Sequence, residues 1–215
     1  MSRRSMWRVA GWAALCLLVL GCGDDDSTGA THNGPLFEFN ASENGGRTIR
    51  WPNNPIRVFL GNGVARTDEV NVWTAATGGA VRFTFVGSAG AADVTFGFTG
   101  RTDICGVTDI VFDEGPSTIV EADVQVSQQF YRSSDCVRTV THETAHAIGF
   151  LGHTADDGLM DPDGGNGQIT PLVSGVLRDL YLMAPGTFVA AEVRRFGLRR
   201  PGGKKAMTFI YPLRH

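Results

Sequence analysis

The chain has 215 residues, 42% of them hydrophobic and 19% charged, which fits one globular domain with its own core and excludes wholesale disorder. The formal net charge of −3 conceals an asymmetry: the body, residues 22–193, sets nine arginines against 22 acids, a balance of −13, while residues 194–215 carry seven Lys or Arg and no acid. So acidic a body excludes nucleic acid as an expected partner, because phosphates call for basic patches, and it suits solvation outside the cell.

Arg3, Arg4 and Arg8 precede an apolar run from Val9 to Leu20, which has the form of an export signal and is too short to span a bilayer comfortably. The run ends in Val19-Leu20-Gly21-Cys22, a tetrad that resembles the bacterial lipobox, with Val19 where that motif usually has Leu. The resemblance implies a signal peptide over residues 1–21 and lipidation of Cys22, with the protein held at a membrane and facing the periplasm or cell exterior. Residues 22–34 read as a flexible acidic tether. Cys105 and Cys136 remain in the exported body, and they either form a disulfide, the simpler reading, or stay as two buried thiols.

The domain is expected over residues 35–190. Ile56, Val58 and Leu60 alternate with Arg57 and Phe59 as a first strand. Thr67 caps a helix with Asp68 and Glu69 in its first turn and Val70 and Trp73 on its apolar face, and Gly78-Gly79 ends it. Strands follow at Val81–Phe85 and Ala92–Phe98, then a short irregular edge strand at Ile104–Phe112, then Ile119–Val126. A helix is expected from about Asp135 to Ile148, with Val137, Val140, Thr144 and Ile148 facing the core. After a loop, Thr170 caps and Pro171 opens a last helix with Leu172, Val176, Leu177 and Leu180 inward. The tail, 191–215, is basic, has no clear period, and reads as a solvated end.

The chemistry concentrates in His142-Glu-Thr-Ala-His146-Ala-Ile-Gly149-Phe-Leu-Gly-His153. Histidines at i and i+4 on a helix can place both imidazoles on one metal ion, and histidine nitrogens suit zinc. Glu143 lies beside the first of them, placed to move a proton. Three of the chain's five histidines fall in this stretch. Gly149 fits the left-handed position that ends a helix, and His153 follows closely enough to be a third ligand.

This segment resembles the metzincin signature, His-Glu-x-x-His-x-x-Gly-x-x-His followed by a methionine turn. The order of elements from Trp51 to Met183 is similar to the matrixin-like branch of those zinc metalloproteases. The resemblance implies His142, His146 and His153 as ligands of one catalytic zinc, Glu143 as general base, and Met160, within Leu159-Met160-Asp161-Pro162, as the methionine turn. It implies an α+β fold: a twisted, mixed five-stranded sheet packed on two helices, one bearing the zinc site, with a C-terminal helix after the turn. In one respect the sequence departs from the signature, which has its third histidine where this chain has Gly152. His153 comes one residue later, and Asp156 or Asp157 could complete the site instead. The last helix, 171–183, offers no glutamate that could serve as a ligand.

The implied activity is hydrolysis of peptide bonds in extracellular or cell-surface proteins, by a monomer, with the substrate extended along the edge strand Ile104–Phe112. The alternative is an inactive surface lipoprotein that keeps its metal and binds a partner. Calcium is a further candidate ligand, at Asp161–Thr170 or around Asp103, Asp109, Asp113 and Glu114.

Overall fold

The computed structural model describes residues 29–61, 63–136, 138–189 and 203–213. Residues 1–28, where a signal peptide and the lipidation of Cys22 are expected, lie outside them, as do Val137 and residues 190–202. Four helices, α1 (Gly29–Phe39), α2 (Thr67–Ala76), α3 (Thr139–Ala147) and α4 (Pro171–Leu182), accompany six strands: β1 (Ile56–Leu60), β2 (Phe83–Phe85), β3 (Val94–Thr99), β4 (Ile104–Asp113), β5 (Thr118–Ser127) and β6 (Lys204–Pro212).

The strands form one mixed sheet in the order β2-β1-β3-β5-β4-β6. β2, β1, β3 and β5 are parallel neighbours, and β4 runs antiparallel to both β5 and β6. The expected α+β class and the first five strands are present. Two expectations are corrected. β4 is not an edge, and the basic tail is not simply a solvated end, because its described part is the sixth strand, paired with β4 from Ile104↔Pro212 to Asp113↔Lys204. The run Met207-Thr-Phe-Ile-Tyr211 consists largely of residues that favour a pleated, half-buried surface. α1 also begins within the stretch read as tether, and it packs against α4.

The helix α3 is shorter than expected. Ser134–Cys136 forms a separate 3-10 turn, and Arg138 takes a left-handed conformation (φ 56°) that starts α3 at Thr139. A disulfide between Cys105 and Cys136, with Cα atoms 5.3 Å apart, ties this entry to β4. Every residue of α3 is buried, so it has no solvent face. Its buried hydroxyls are satisfied locally: Thr139 donates to the Cys136 carbonyl at 3.0 Å and Thr144 to the Val140 carbonyl at 2.6 Å.

Two tryptophans fix the two ends of α3. Trp73 of α2 donates its indole N–H to the Thr141 carbonyl at 2.9 Å, and Trp51 donates to the Ala147 carbonyl at 2.8 Å, where the helix would otherwise leave an orphan acceptor. Thr141 answers with a hydroxyl bond to the Glu69 carbonyl at 3.1 Å. The expected inward residues Val70 and Trp73 of α2 and Val176, Leu177 and Leu180 of α4 are buried, and the Thr170 hydroxyl caps α4 at Val173 N. Trp73→Ala should cost about 3–5 kcal/mol of stability from lost burial, read as a lower denaturant midpoint at unchanged slope.

Candidate metal centre

α3 presents His142 and His146 one turn apart, and both rings are completely buried. The Nδ1 of each ring meets a backbone carbonyl at 2.7 Å, Leu159 for His142 and Phe150 for His146. A carbonyl only accepts, so each ring carries its proton on Nδ1 and presents a bare Nε2. Those Nε2 atoms lie 3.2 Å apart, and His153 Nε2 lies 3.3 Å from that of His142. The three donor atoms form a group that could hold one metal ion, all within 4.8 Å of one another.

Lone pairs facing each other at this distance in a dry interior repel unless a cation lies between them. Two nitrogens each ~2.0–2.1 Å from a tetrahedral zinc would lie about 3.3–3.4 Å apart, close to the separations here. The donor set therefore fits zinc in kind and in spacing.

The third histidine arrives through a turn that the rest of the fold holds in place. Gly149 has φ 105°, and a Cβ there would sit 3.0 Å from Leu180 Cδ2 and 3.1 Å from the Ile49 carbonyl oxygen. Only glycine combines that dihedral with so close an approach. The buried Asn40 side chain donates to the Gly149 carbonyl at 2.8 Å and the Ile49 carbonyl at 2.7 Å, and accepts from Ile49 N at 2.8 Å. Leu151 N then bonds the Phe39 carbonyl at 2.6 Å, next to the stacked rings of Phe39 and Phe150. Gly152 does not share the positive φ of Gly149, so the shift of the histidine to position 153 involves one left-handed glycine rather than two.

His153 is the residue that joins the pair. Asp156 and Asp157 are exposed and outside the group, and the Asp156 carboxylate accepts from Thr154 Oγ1 at 2.7 Å and Gly158 N at 3.1 Å within its own turn. Met160 is fully buried in the main core, and its neighbour Leu159 supplies the carbonyl that orients His142. The calcium candidates do not assemble: among the described residues no acidic group of three comes together. Asp161 and Asn166 accept from backbone N–H groups in turns, Asp103 pairs with Arg101, and Asp109 bonds Thr208.

Glu143 is completely buried between α3 and β4. Its Oε2 accepts from Thr108 Oγ1 at 2.6 Å, while Oε1 is buried with no partner. An orphaned carboxylate oxygen beside three converging imidazoles suits a proton-bearing ligand in the space between them. Gly106 makes room for it, since a Cβ there would fall 2.9 Å from Oε1. Thr108, Asn40 and Trp51 were not identified from the sequence as site-shaping residues; neither spacing nor periodicity marks a residue whose role is one hydrogen bond to a distant element.

Two aromatic rings close over the histidines. Tyr211 stacks on His142 with centroids 4.3 Å apart, and Phe209 stacks on His146 at 4.4 Å. The sequence matches no known family model, and no curated protein matches it either.

Burial lowers the pKa of His142 to about 3 and that of His146 well below its ordinary value, and it lowers that of the less buried His153, with Asp161 opposing. Burial also raises Glu143 from 4.5 to about 8, against the Thr108 hydrogen bond. In metal-free protein below pH 6.5, the unfolded chain takes up protons on His142 and His146 that the folded chain refuses, and on His153 more readily than the folded chain does, while the folded chain keeps one on Glu143. Stability therefore falls as pH drops through 6.5. Above 6.5 the histidines are neutral in both states, and the Glu143 contribution declines toward pH 8. Thermal unfolding in chelator should give a maximum Tm near pH 6.5. His153→Ala should lose most bound zinc by metal analysis of dialysed protein, whereas Asp156→Ala should keep it.

Proposed function

We propose that the protein is an exported, zinc-dependent endopeptidase of the metzincin type, with His142, His146 and His153 as ligands, Glu143 as general base and Met160 in the methionine turn. The single observation that carries this reading is the convergence of three Nε2 atoms, two with their Nδ1 protons locked onto carbonyls, beside a carboxylate oxygen that has no partner.

A zinc ion held there would supply Lewis acidity, lowering the pKa of water and polarising a scissile carbonyl. The chain's own residues do the rest. The Leu159 and Phe150 carbonyls hold the imidazoles in the tautomer that leaves Nε2 bare, and they raise its basicity. Thr108 pins Oε2, which leaves Oε1 to take a proton from water and pass it to the leaving amine nitrogen. Because the water is the nucleophile, no covalent intermediate with the protein is needed.

The Cys105–Cys136 disulfide supports a location outside the reducing cytoplasm. No described helix is long and apolar enough to cross a membrane. The membrane attachment proposed here is the lipid on Cys22, and the substrates proposed are proteins at or beyond the cell surface.

Glu143→Gln keeps size and burial but removes the base. It should retain zinc by metal analysis and lose about 10²–10⁴ in the rate of peptide cleavage, measured as chelator-sensitive digestion of a peptide library. Cleavage by this variant at the wild-type rate would overturn the mechanism.

A further inference from the structure

Resting on that reading, we infer that β6 is an internal pseudo-substrate. It occupies the strand position and the side-chain pockets of the peptide to be cut, holds the site closed, and states its preference for an extended peptide with aromatic residues at two alternate positions.

The backbone argument comes from register. β6 runs antiparallel along the whole outer side of β4, the strand that bears the contacts of Glu143. Gly106 pairs with Tyr211 and Thr108 with Phe209. Thr108 binds Oε2 and Gly106 makes room for Oε1, so the chain from Phe209 to Tyr211 runs opposite the two β4 residues that border the base. A substrate backbone adding to β4 by strand pairing would need the same donors and acceptors that β6 holds.

The side chains follow the pleat. Phe209 and Tyr211 point inward and are buried, while the alternate residues Thr208 and Ile210 are exposed, Ile210 at 43%. Each inward ring lies flat on one histidine of the triad, at interplanar angles of 8° for Tyr211 and 11° for Phe209. Tyr211 also packs on the Cys105–Cys136 disulfide. Its hydroxyl reaches Gly164, in the loop after Met160, where a Cβ would fall 1.8 Å from the oxygen. His142, the disulfide and Gly164 thus bound a slot that accepts a full tyrosine ring. Nothing about strand pairing alone requires two aromatics stacked on two metal-binding imidazoles.

The charged and polar side-chain ties toward the start of β6 are ones a competitor can replace. Lys205 pairs with Glu43 at 3.0 Å with both side chains over a third exposed, and Thr208 bonds Asp109 at the surface; exposed contacts of this kind hold little. β6 is held by its ladder with β4 and its two buried rings, contacts a separate peptide could also make, and being part of the same chain it competes at high effective concentration.

The test compares full-length wild type with the full-length variant Phe209→Ala/Tyr211→Ala, both zinc-loaded. The variant should show about ten-fold or more higher kcat/KM in chelator-sensitive peptide cleavage. A synthetic peptide of residues 203–213 should inhibit it competitively, and the same peptide with alanine at both aromatic positions should not. Equal rates in two folded, zinc-loaded proteins would overturn the inference. If neither protein cut any peptide, the peptidase reading would fail instead. The strand's role would then be judged by fluorescence anisotropy: binding of the labelled aromatic peptide to the variant, and not of its alanine form, supports it, and no binding overturns it. Loss of fold by circular dichroism in both this variant and Tyr211→Ala would also overturn it, since β6 would then be core rather than a displaceable strand.

Discussion

The structure turns on two buried imidazoles whose protons are held away from each other. The Leu159 and Phe150 carbonyls fix those protons on Nδ1 and leave bare Nε2 atoms 3.2 Å apart inside the protein. That arrangement is electrostatically unfavourable in isolation and becomes favourable around a cation. Much else holds it in place. Trp73 and Trp51 anchor α3, Asn40 holds the Gly149 turn, and the loop through Leu159 and Met160 returns to receive His142. A fold that keeps α3 without a solvent face commits its interior to the ligand. If the site holds a metal, its binding would be coupled to the stability of the fold.

The candidate site was legible in the sequence because its chemistry is local. His142, Glu143 and His146 lie within one and a half turns, Gly149 marks the exit, and His153 follows within reach, so chain connectivity alone nearly assembles them. The first five strands were legible for a similar reason: each carries its own alternation, as in Ile56-Arg-Val-Phe-Leu60. The limits of α3 were not. Arg138 adopts a left-handed conformation that no periodicity announces, and the disulfide at Cys136 sets the geometry just before it. Asn40, Thr108 and the tryptophan N–H bonds were illegible because their partners lie tens of residues away.

The sixth strand shows where composition misleads. Lys204, Lys205 and Arg214 give the tail the composition of a solvated end, although Met207–Tyr211 is a strand-forming run. In the fold the lysines sit toward the outer end of β6, where charge also discourages further edge-to-edge pairing. The aromatic end lies over the histidines. A strand with one charged end and one aromatic end reads as a tail when averaged and as a strand when taken residue by residue.

Glu143 brings these threads into opposition. In the proposed role of proton carrier it would need water at Oε1, yet here it is fully buried with that oxygen unpartnered, and its affinity for a proton is raised accordingly. The elements that enclose it differ in how firmly they are held. α3 is pinned by two indoles and by the disulfide at its entry, and β4 is bonded to β5 along its length. Among the described residues β6 has one strand neighbour, β4, and ends the sheet. Of the elements packed around the histidines, the outermost strand is therefore the one whose departure disrupts least of the sheet. Losing it would uncover the imidazole faces without disturbing the carbonyls that set their tautomers. On the function proposed above, the order of the sheet thus separates what would stay rigid to hold a metal from what would yield for a peptide to enter.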